Sequence, residues 1–230
     1  MELASVLNFF RPRPASSAQY GEDLILWGAL SEIKNGFYID VGAMDPVKES
    51  VTKLFYDHGW SGINIEPTAR WFNAVAAERP RDINLQIAAS DRTGTLTLHE
   101  IPDTGFSTSV EKYANGYATQ GMKRHTYTVP CRPLADICAE YVRGDIHFLK
   151  IDVEGAEKSV LDGCDFSRFR PWLLAIEATV PNSHTPCHEE WEQQVLDAGY
   201  EFALFHEINR YYVAREHIER KRRIRPPRSL

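Results

Sequence analysis

The 230-residue chain has no uninterrupted apolar run approaching the ~20 residues that a membrane-spanning helix requires. Cysteine is scarce: Cys131, Cys138, Cys164 and Cys187 lie 7, 26 and 23 positions apart, without a C-x-x-C pair. Structural zinc and a disulfide framework both fit that spacing badly, so reduced, mostly buried thiols are expected. No internal repeat and no low-complexity linker divides the chain. The G-x-G-x-x-G fingerprint and the P-loop are both missing, which argues against a dinucleotide or nucleoside triphosphate as ligand. The start, MELASVLNFFRPRP, has an acid at position 2 and no small-residue cleavage site, a poor secretory signal that leads us to expect a cytoplasmic chain.

What is present describes a soluble globular domain. Hydrophobic residues make up 43% and charged residues 25%, enough apolar surface to offset the entropy of ordering the chain. The net charge of -6 is uneven: residues 215–230 hold seven Arg or Lys and two Glu, leaving an acidic body. Such a body argues against a nucleic-acid partner, whose footprint is normally a basic face on the fold. The basic run from 219 to 230 reads as a solvated terminal tail.

Short β-rich runs alternate with helical stretches. Strands are expected at 37–41, 62–66, 83–89, 95–100, 146–153 and 172–179, and helices at 50–57, 69–78, 133–142, 156–164 and 189–199. YEFALFHE and NRYYVA form a terminal hairpin with its turn at Ile208–Asn209. Repeated strand–helix units imply a parallel sheet covered on both faces, here with an antiparallel edge, in a Rossmann-like α/β fold. Residues 101–128 are long for a connection and read as a substrate lid, with Tyr113, Tyr117 and Tyr127 either stacking on a sugar face or packing internally.

Ligands of such sheets bind beyond the carboxyl ends of the strands. Those ends read Asp40-Val41-Gly42-Ala43, Glu66-Pro67, Ala89-Ser90-Asp91 and Asp152-Val153-Glu154-Gly155. An acid-rich mouth repels pyrophosphate and suits a cationic ligand with hydroxyls. S-adenosylmethionine has a sulfonium, an ammonium and a ribose diol. Glu66, ending the second strand, is placed to accept both ribose hydroxyls, and Gly42 lets the backbone come close.

With these segments the sequence resembles the FkbM-type S-adenosylmethionine-dependent methyltransferases, through SAQYGEDLIL (17–26), GFYIDVGAMDPVKESVTKLFYDHGWSGINIEP (36–67), RPRDINLQIAASDRTGTLTL (79–98), FLKIDVEGAEKSVLDGCDF (148–166) and RPWLLAIEAT (170–179). The resemblance implies the seven-stranded methyltransferase variant of the Rossmann sheet over residues 17–218, preceded by an extension (1–16). It implies methylation of a hydroxyl on a sugar, glycan or glycosylated precursor, with glycosyltransferases of the same pathway as partners. The alternatives are a non-sugar secondary metabolite as acceptor, or a non-catalytic cofactor-binding module in a glycan-assembly complex. Either a monomer or an oligomer is compatible with the sequence. Carried over by position, Asp40, Gly42, Ala43, Glu66 and Asp152 hold the cofactor, with Ser90 or its neighbours at the adenine. Gln19, Tyr20 and Gly21 close over the methionine end, unless Tyr20 packs the first helix. The stretch WEQQVLDAGYEFALFHEINRYYVAREH (191–217) resembles the tail of family members found beside polysaccharide and glycosyltransferase genes, and relatives with that tail usually carry Asp-Gly where this chain has His206-Glu207.

The hydroxyl proton needs a base or a metal. Asp152 and Glu177 end neighbouring strands and could share Mg2+ or Mn2+, unless Asp152 and Glu154 instead cap the following helix. His184 leads His188 and His206 as candidate base.

Overall fold

The computed structural model describes residues 14–227, so most of the expected extension and the end of the tail lie outside the described residues. The strands are β1 (Phe37–Val41), β2 (Ser61–Ile65), β3 (Ile83–Leu85), β4 (Ala88–Ser90), β5 (Gly94–Glu100), β6 (His125–Pro133), β7 (Phe148–Ile151), β8 (Leu173–Glu177), β9 (Tyr200–His206) and β10 (Asn209–Ala214). The helices are α1 (Glu22–Leu30), α2 (Lys53–Asp57), α3 (Ala69–Glu78), α4 (Glu111–Thr119), α5 (Leu134–Tyr141), α6 (Glu157–Asp162) and α7 (Glu192–Asp197). Seven strands form one sheet in the order β3-β2-β1-β7-β8-β10-β9. All pair in parallel except β10, which runs against both of its neighbours. This is the expected seven-stranded, mostly parallel fold with an antiparallel end.

Strand alternation divides the core. Ile39, Leu149 and Ile176 face α5, α6 and α7, while Tyr38, Phe148 and Leu173 face α1 and α2. Both faces are covered, so the strands read as nearly continuous apolar runs. On the α1/α2 face the alternation ends in polar residues at the carboxyl edge: Asp40 on β1, Lys150 on β7 and, by the same periodicity, Glu177 on β8.

Three expectations change. The run 83–89 is not one strand: β3 joins the main sheet, and β4 pairs with β6 in a second, three-stranded sheet that also contains β5. The span 101–128 is not all lid, since it holds the nine-residue helix α4 and the start of β6. The terminal turn falls one residue earlier, at Glu207–Ile208, with Glu207 in the left-handed region at φ 54°.

The basic segment also differs from the solvated tail expected. Residues Arg215–Arg223 form a 3-10 stretch. Arg220 donates to the Ala29 carbonyl at 2.6 Å and pairs with Glu32, and Ile224 is buried against α1. The last-turn carbonyls of a helix lack partners of their own, and a guanidinium suits both their lone pairs and the helix dipole. Among the described residues, no helix is long and apolar enough to cross a membrane.

Candidate active site

A cavity of about 400 Å3 opens at the carboxyl edge of the sheet, where the strand order reverses between β1 and β7. Its size falls within the ~300–1,000 Å3 usual for small-molecule sites. Its wall is partly apolar, with Ala88, Ala89, Leu96, Leu98, Trp71 and Phe106, and partly polar, with Lys150, Asp152 and Glu154 beside Gly42. Residues 101–110 form part of the wall. They are held to α3 by the Trp71 indole, which donates to the Thr104 carbonyl at 3.2 Å, and by an ion pair between Arg70 and Asp103. That stretch is the part of the expected lid that lines the cavity. Of the tyrosines, Tyr117 is buried against Phe106 and donates to Glu154, while Tyr127 donates to Glu100 on β5.

Glu66 lines the cavity from the end of β2 and is 6% exposed. One carboxylate oxygen accepts from the Thr68 amide (2.8 Å) and hydroxyl (2.7 Å), and the other from the Met44 amide at 3.0 Å. Burial pushes its pKa up, while the Thr68 and Met44 donors oppose the shift. A carboxylate offers about four acceptor positions, so the Met44-bound oxygen keeps room for a ligand hydroxyl. Gly42, at φ 80°, makes the close approach possible, and a Cβ there would overlap the Asp152 carbonyl oxygen.

Asp40 does not line the cavity. It is 1% exposed beneath it, accepts from the Thr52 hydroxyl at 2.9 Å, and lies 3.4 Å from the Lys150 ammonium. Lys150 is a lining residue that the sequence reading passed over. It stands opposite Asp40 in the β1/β7 register, donates to the Gly42 carbonyl at 2.7 Å and sits 3.6 Å from Asp152. Burial opposes its charge, but Asp40 and Asp152 outweigh burial and hold its pKa above the usual lysine value. A lysine inside the apolar run HFLKIDV was the available signal.

The segment before α1 contributes Gln19 to the cavity wall, whereas Tyr20 and Gly21 do not line it. Gly21 caps α1 at φ 77°. Buried Glu22 fixes the segment by accepting from the Tyr20 amide (2.8 Å) and the Asn209 side chain (3.0 Å). Ala43 lines the site as expected; Ser90 does not, because its hydroxyl turns to Asp91 and Ser159.

Beyond Asp152 further carboxyls gather at the carboxyl edge of the sheet, Glu154 in the cavity lining and Glu157 and Glu177 buried outside it. Glu154 is pushed up to about 8 by burial, with the Asp152 charge adding to it. Burial pushes Glu157 up to about 7, even though it accepts from the Val153 and Gly155 amides at 3.1 Å. Glu157, rather than Asp152 or Glu154, therefore ties down the turn before α6. Glu177 is 4% exposed, and one of its oxygens has no hydrogen-bond partner. Burial, then Asp152, Glu157 and Glu154, raise it well above the usual carboxylate range.

These side chains do not make the metal site expected at Asp152 and Glu177. Among the described residues, no group of three or more His, Cys, Asp or Glu side chains is arranged to hold an ion. The Asp152 carboxylate lies 3.6 Å from the Lys150 ammonium. His184 lies exposed in the turn between Val180 and Thr185, outside the cavity lining.

A doubly covered sheet with an acid-lined cavity at its switch point is the architecture of the Rossmann-like methyltransferases. The sequence profile of the methyltransferase FkbM domain matches residues 40–202, and the chain belongs to that family. The family implies S-adenosylmethionine as cofactor. Among solved structures, the chain resembles an FkbM methyltransferase from Methylobacillus flagellatus KT with a TM-score of 0.50 and 19% identity, over 78% of this chain and 43% of that one. It thus spans under half of that relative. A TehB-like S-adenosylmethionine-dependent methyltransferase from Corynebacterium glutamicum aligns with a TM-score of 0.44 and 8% identity, over 92% of this chain and 91% of that one. No curated protein matches the sequence.

Proposed function

We propose that this protein transfers a methyl group from S-adenosylmethionine to a hydroxyl of a sugar, glycan or glycosylated precursor. The observation that carries the cofactor half is Glu66, a buried carboxylate with spare acceptor capacity on the wall of a cavity whose Gly42 admits close approach. The apolar wall at Trp71 and Leu98 suits an adenine, and Asp152 suits an ammonium. The acceptor half rests on the resemblance of the sequence to hydroxyl-methylating relatives.

The bound cofactor supplies a methyl group already activated on a sulfonium. Glu66 accepts from the ribose diol, Asp152 meets the amino-acid end, and residues 101–110 exclude water from the apolar wall. An alcohol must lose its proton as its oxygen is methylated. We assign that proton to Glu177 in place of His184: Glu177 lies buried at the end of β8, behind the cavity lining, with an unpartnered carboxylate oxygen, and its raised pKa makes it the stronger base when ionised.

The test has two arms. Calorimetry should show S-adenosylmethionine binding that E66Q weakens by about thirty-fold, since roughly 2 kcal/mol is lost with one hydrogen bond to a charged group. The glutamine carbonyl still accepts from Thr68, which an alanine would leave without a partner, while its NH2 end takes the place of the oxygen facing Met44. Labelled methyl from the cofactor should then appear in a glycan extract with wild-type protein and not with E177Q. Cofactor binding unaffected by E66Q removes Glu66 from the ribose, and label confined to non-sugar alcohols moves the acceptor to another class.

A pH dependence follows from the carboxyl cluster. Glu154 and Glu157 retain protons in the fold up to about 8 and about 7, whereas the ordinary glutamate value is 4.5. Their contribution to stability is therefore complete below that value and is lost as pH rises through the folded values. A cationic ligand favours the ionised carboxylates. Its binding should release protons and tighten between about pH 6 and 8.5, read by calorimetry in buffers of different ionisation heat. Affinity that is flat over that range, without proton release, would show that the cluster does not sense the ligand.

A further inference from the structure

The 3-10 segment Arg215–Arg223 is docked through one of its rows and leaves the others outside. Residues three apart lie one above the other in such a helix. After the kink at His217, Arg220 and Arg223 form the row that meets Glu32, at 2.6 and 3.0 Å, and buried Ile224 completes the contact. A second row holds Ile218, which is 39% exposed, and Lys221; a third holds Glu219 and Arg222. Arg225 donates through Nε to the Arg222 carbonyl at 2.7 Å, which keeps it beside that third row. Arg215 is exposed just before the kink.

The cations of this segment that meet acids are Arg220, Lys221 and Arg223. Among the described residues, Arg215, Arg222 and Arg225 join no ion pair. Free guanidiniums around an exposed isoleucine suit a partner that is anionic outside and apolar just beneath. The face also stands clear of the acidic cavity. The end of β10 pairs with the start of β8, through Val213 and Leu173, so the segment leaves from the amino edge of the sheet, opposite the cavity. A five-residue strand such as β8 is about 17 Å long, roughly two Debye lengths at physiological salt. A planar anionic surface at one edge is therefore largely screened from the carboxyls at the other. A nucleic-acid chain would run on over the acidic body, and it offers no apolar layer to Ile218.

We propose that this face docks the protein on an anionic lipid bilayer. Arg215, Lys221, Arg222 and Arg225 lie among the headgroups, and Ile218 reaches the boundary of the acyl chains. Arg220, Arg223 and Ile224 fix the segment to α1, so the cations are held in place before contact and little ordering is left to be done on binding. The cavity then opens on the side away from the bilayer. Docking of this kind requires neither cofactor nor acceptor.

The test is co-sedimentation with vesicles. Full-length protein should bind phosphatidylcholine vesicles that contain about one third phosphatidylglycerol, and should stay in solution with phosphatidylcholine alone. High salt should weaken the binding at least about ten-fold. R222E/R225E changes four charge units, each worth about five-fold near such a surface, and should lower affinity at least about a hundred-fold. I218S, at unchanged charge, should lower it about five-fold. Both variants should keep the wild-type melting curve, because the altered side chains face solvent. Wild-type protein that ignores the anionic vesicles, or binds both kinds equally, would overturn the proposal, and that comparison does not depend on any variant folding. Binding that R222E/R225E leaves unchanged would also overturn it, by moving the contact elsewhere. So would an I218S protein that binds as wild type, or a short RNA duplex held as tightly as the vesicles, since the face would then be a general polyanion surface.

Discussion

Gly42→Ala should reduce cofactor affinity by more than a hundred-fold and lower stability by about 2–5 kcal/mol, the sum of a left-handed alanine and an overpacked contact. The backbone at this position has φ 80°, which an alanine adopts at a cost, and the added Cβ would overlap the Asp152 carbonyl oxygen. Neither side can yield cheaply. The Gly42 amide donates to the Ile65 carbonyl at 3.0 Å and its carbonyl receives Lys150, while the Asp152 amide donates to the Val41 carbonyl at 3.1 Å. Moving the turn therefore separates Lys150 from Gly42 and shifts Asp152, spoiling three wall groups with one methyl. Denaturant unfolding and calorimetry on the same preparation measure the two effects. A variant that folds and binds as wild type would show that the cofactor does not approach this turn.

The second large effect is expected at the opposite end of the chain. A protein ending at Ile218 should lose about 4 kcal/mol of stability, roughly 2 from the buried isoleucine and the rest from hydrogen bonds to the arginine. Ile224 is 5% exposed in the α1 side of the core, and Arg220 caps the Ala29 carbonyl while lying over the Trp172 ring at 4.8 Å. The single change Ile224→Ala should account for about half or more of the loss, since a large-to-small core change costs ~2–5 kcal/mol. Thermal melts compare the two. A truncated chain that melts with the full-length protein would mean that the segment rests on the body without stabilising it. Cofactor affinity of any truncated protein that remains folded should change little, because Ile224 and Arg220 lie outside the cavity wall.

Two features explain why the tail and the cluster escaped a sequence reading. The run of Arg and Lys around Ile224 looks like a solvated charge run, and its docking depends on the Ala29 carbonyl and Glu32, nearly two hundred positions earlier. Likewise, Asp152, Glu154 and Glu157 are neighbours in the chain, but the raised pKa values of Glu154 and Glu157 come first from burial, which only the folded mouth provides. Charge and patterning show which residues are polar. They do not show which are dehydrated together.

The sequence by itself determined the doubly covered sheet, because apolar runs with short intervening helices can bury both faces in few other ways. It also placed Gly42 and Glu66 at strand ends, since a strand's limit and the turn after it are local properties. Only the tertiary structure decided the pairing of Asp40 with Lys150, the division of 83–89 between two sheets and the docking of Ile224. Asp40 and Lys150 lie 110 positions apart and meet through the β1/β7 register. Register follows from how whole faces pack, so no local pattern in either strand names its partner.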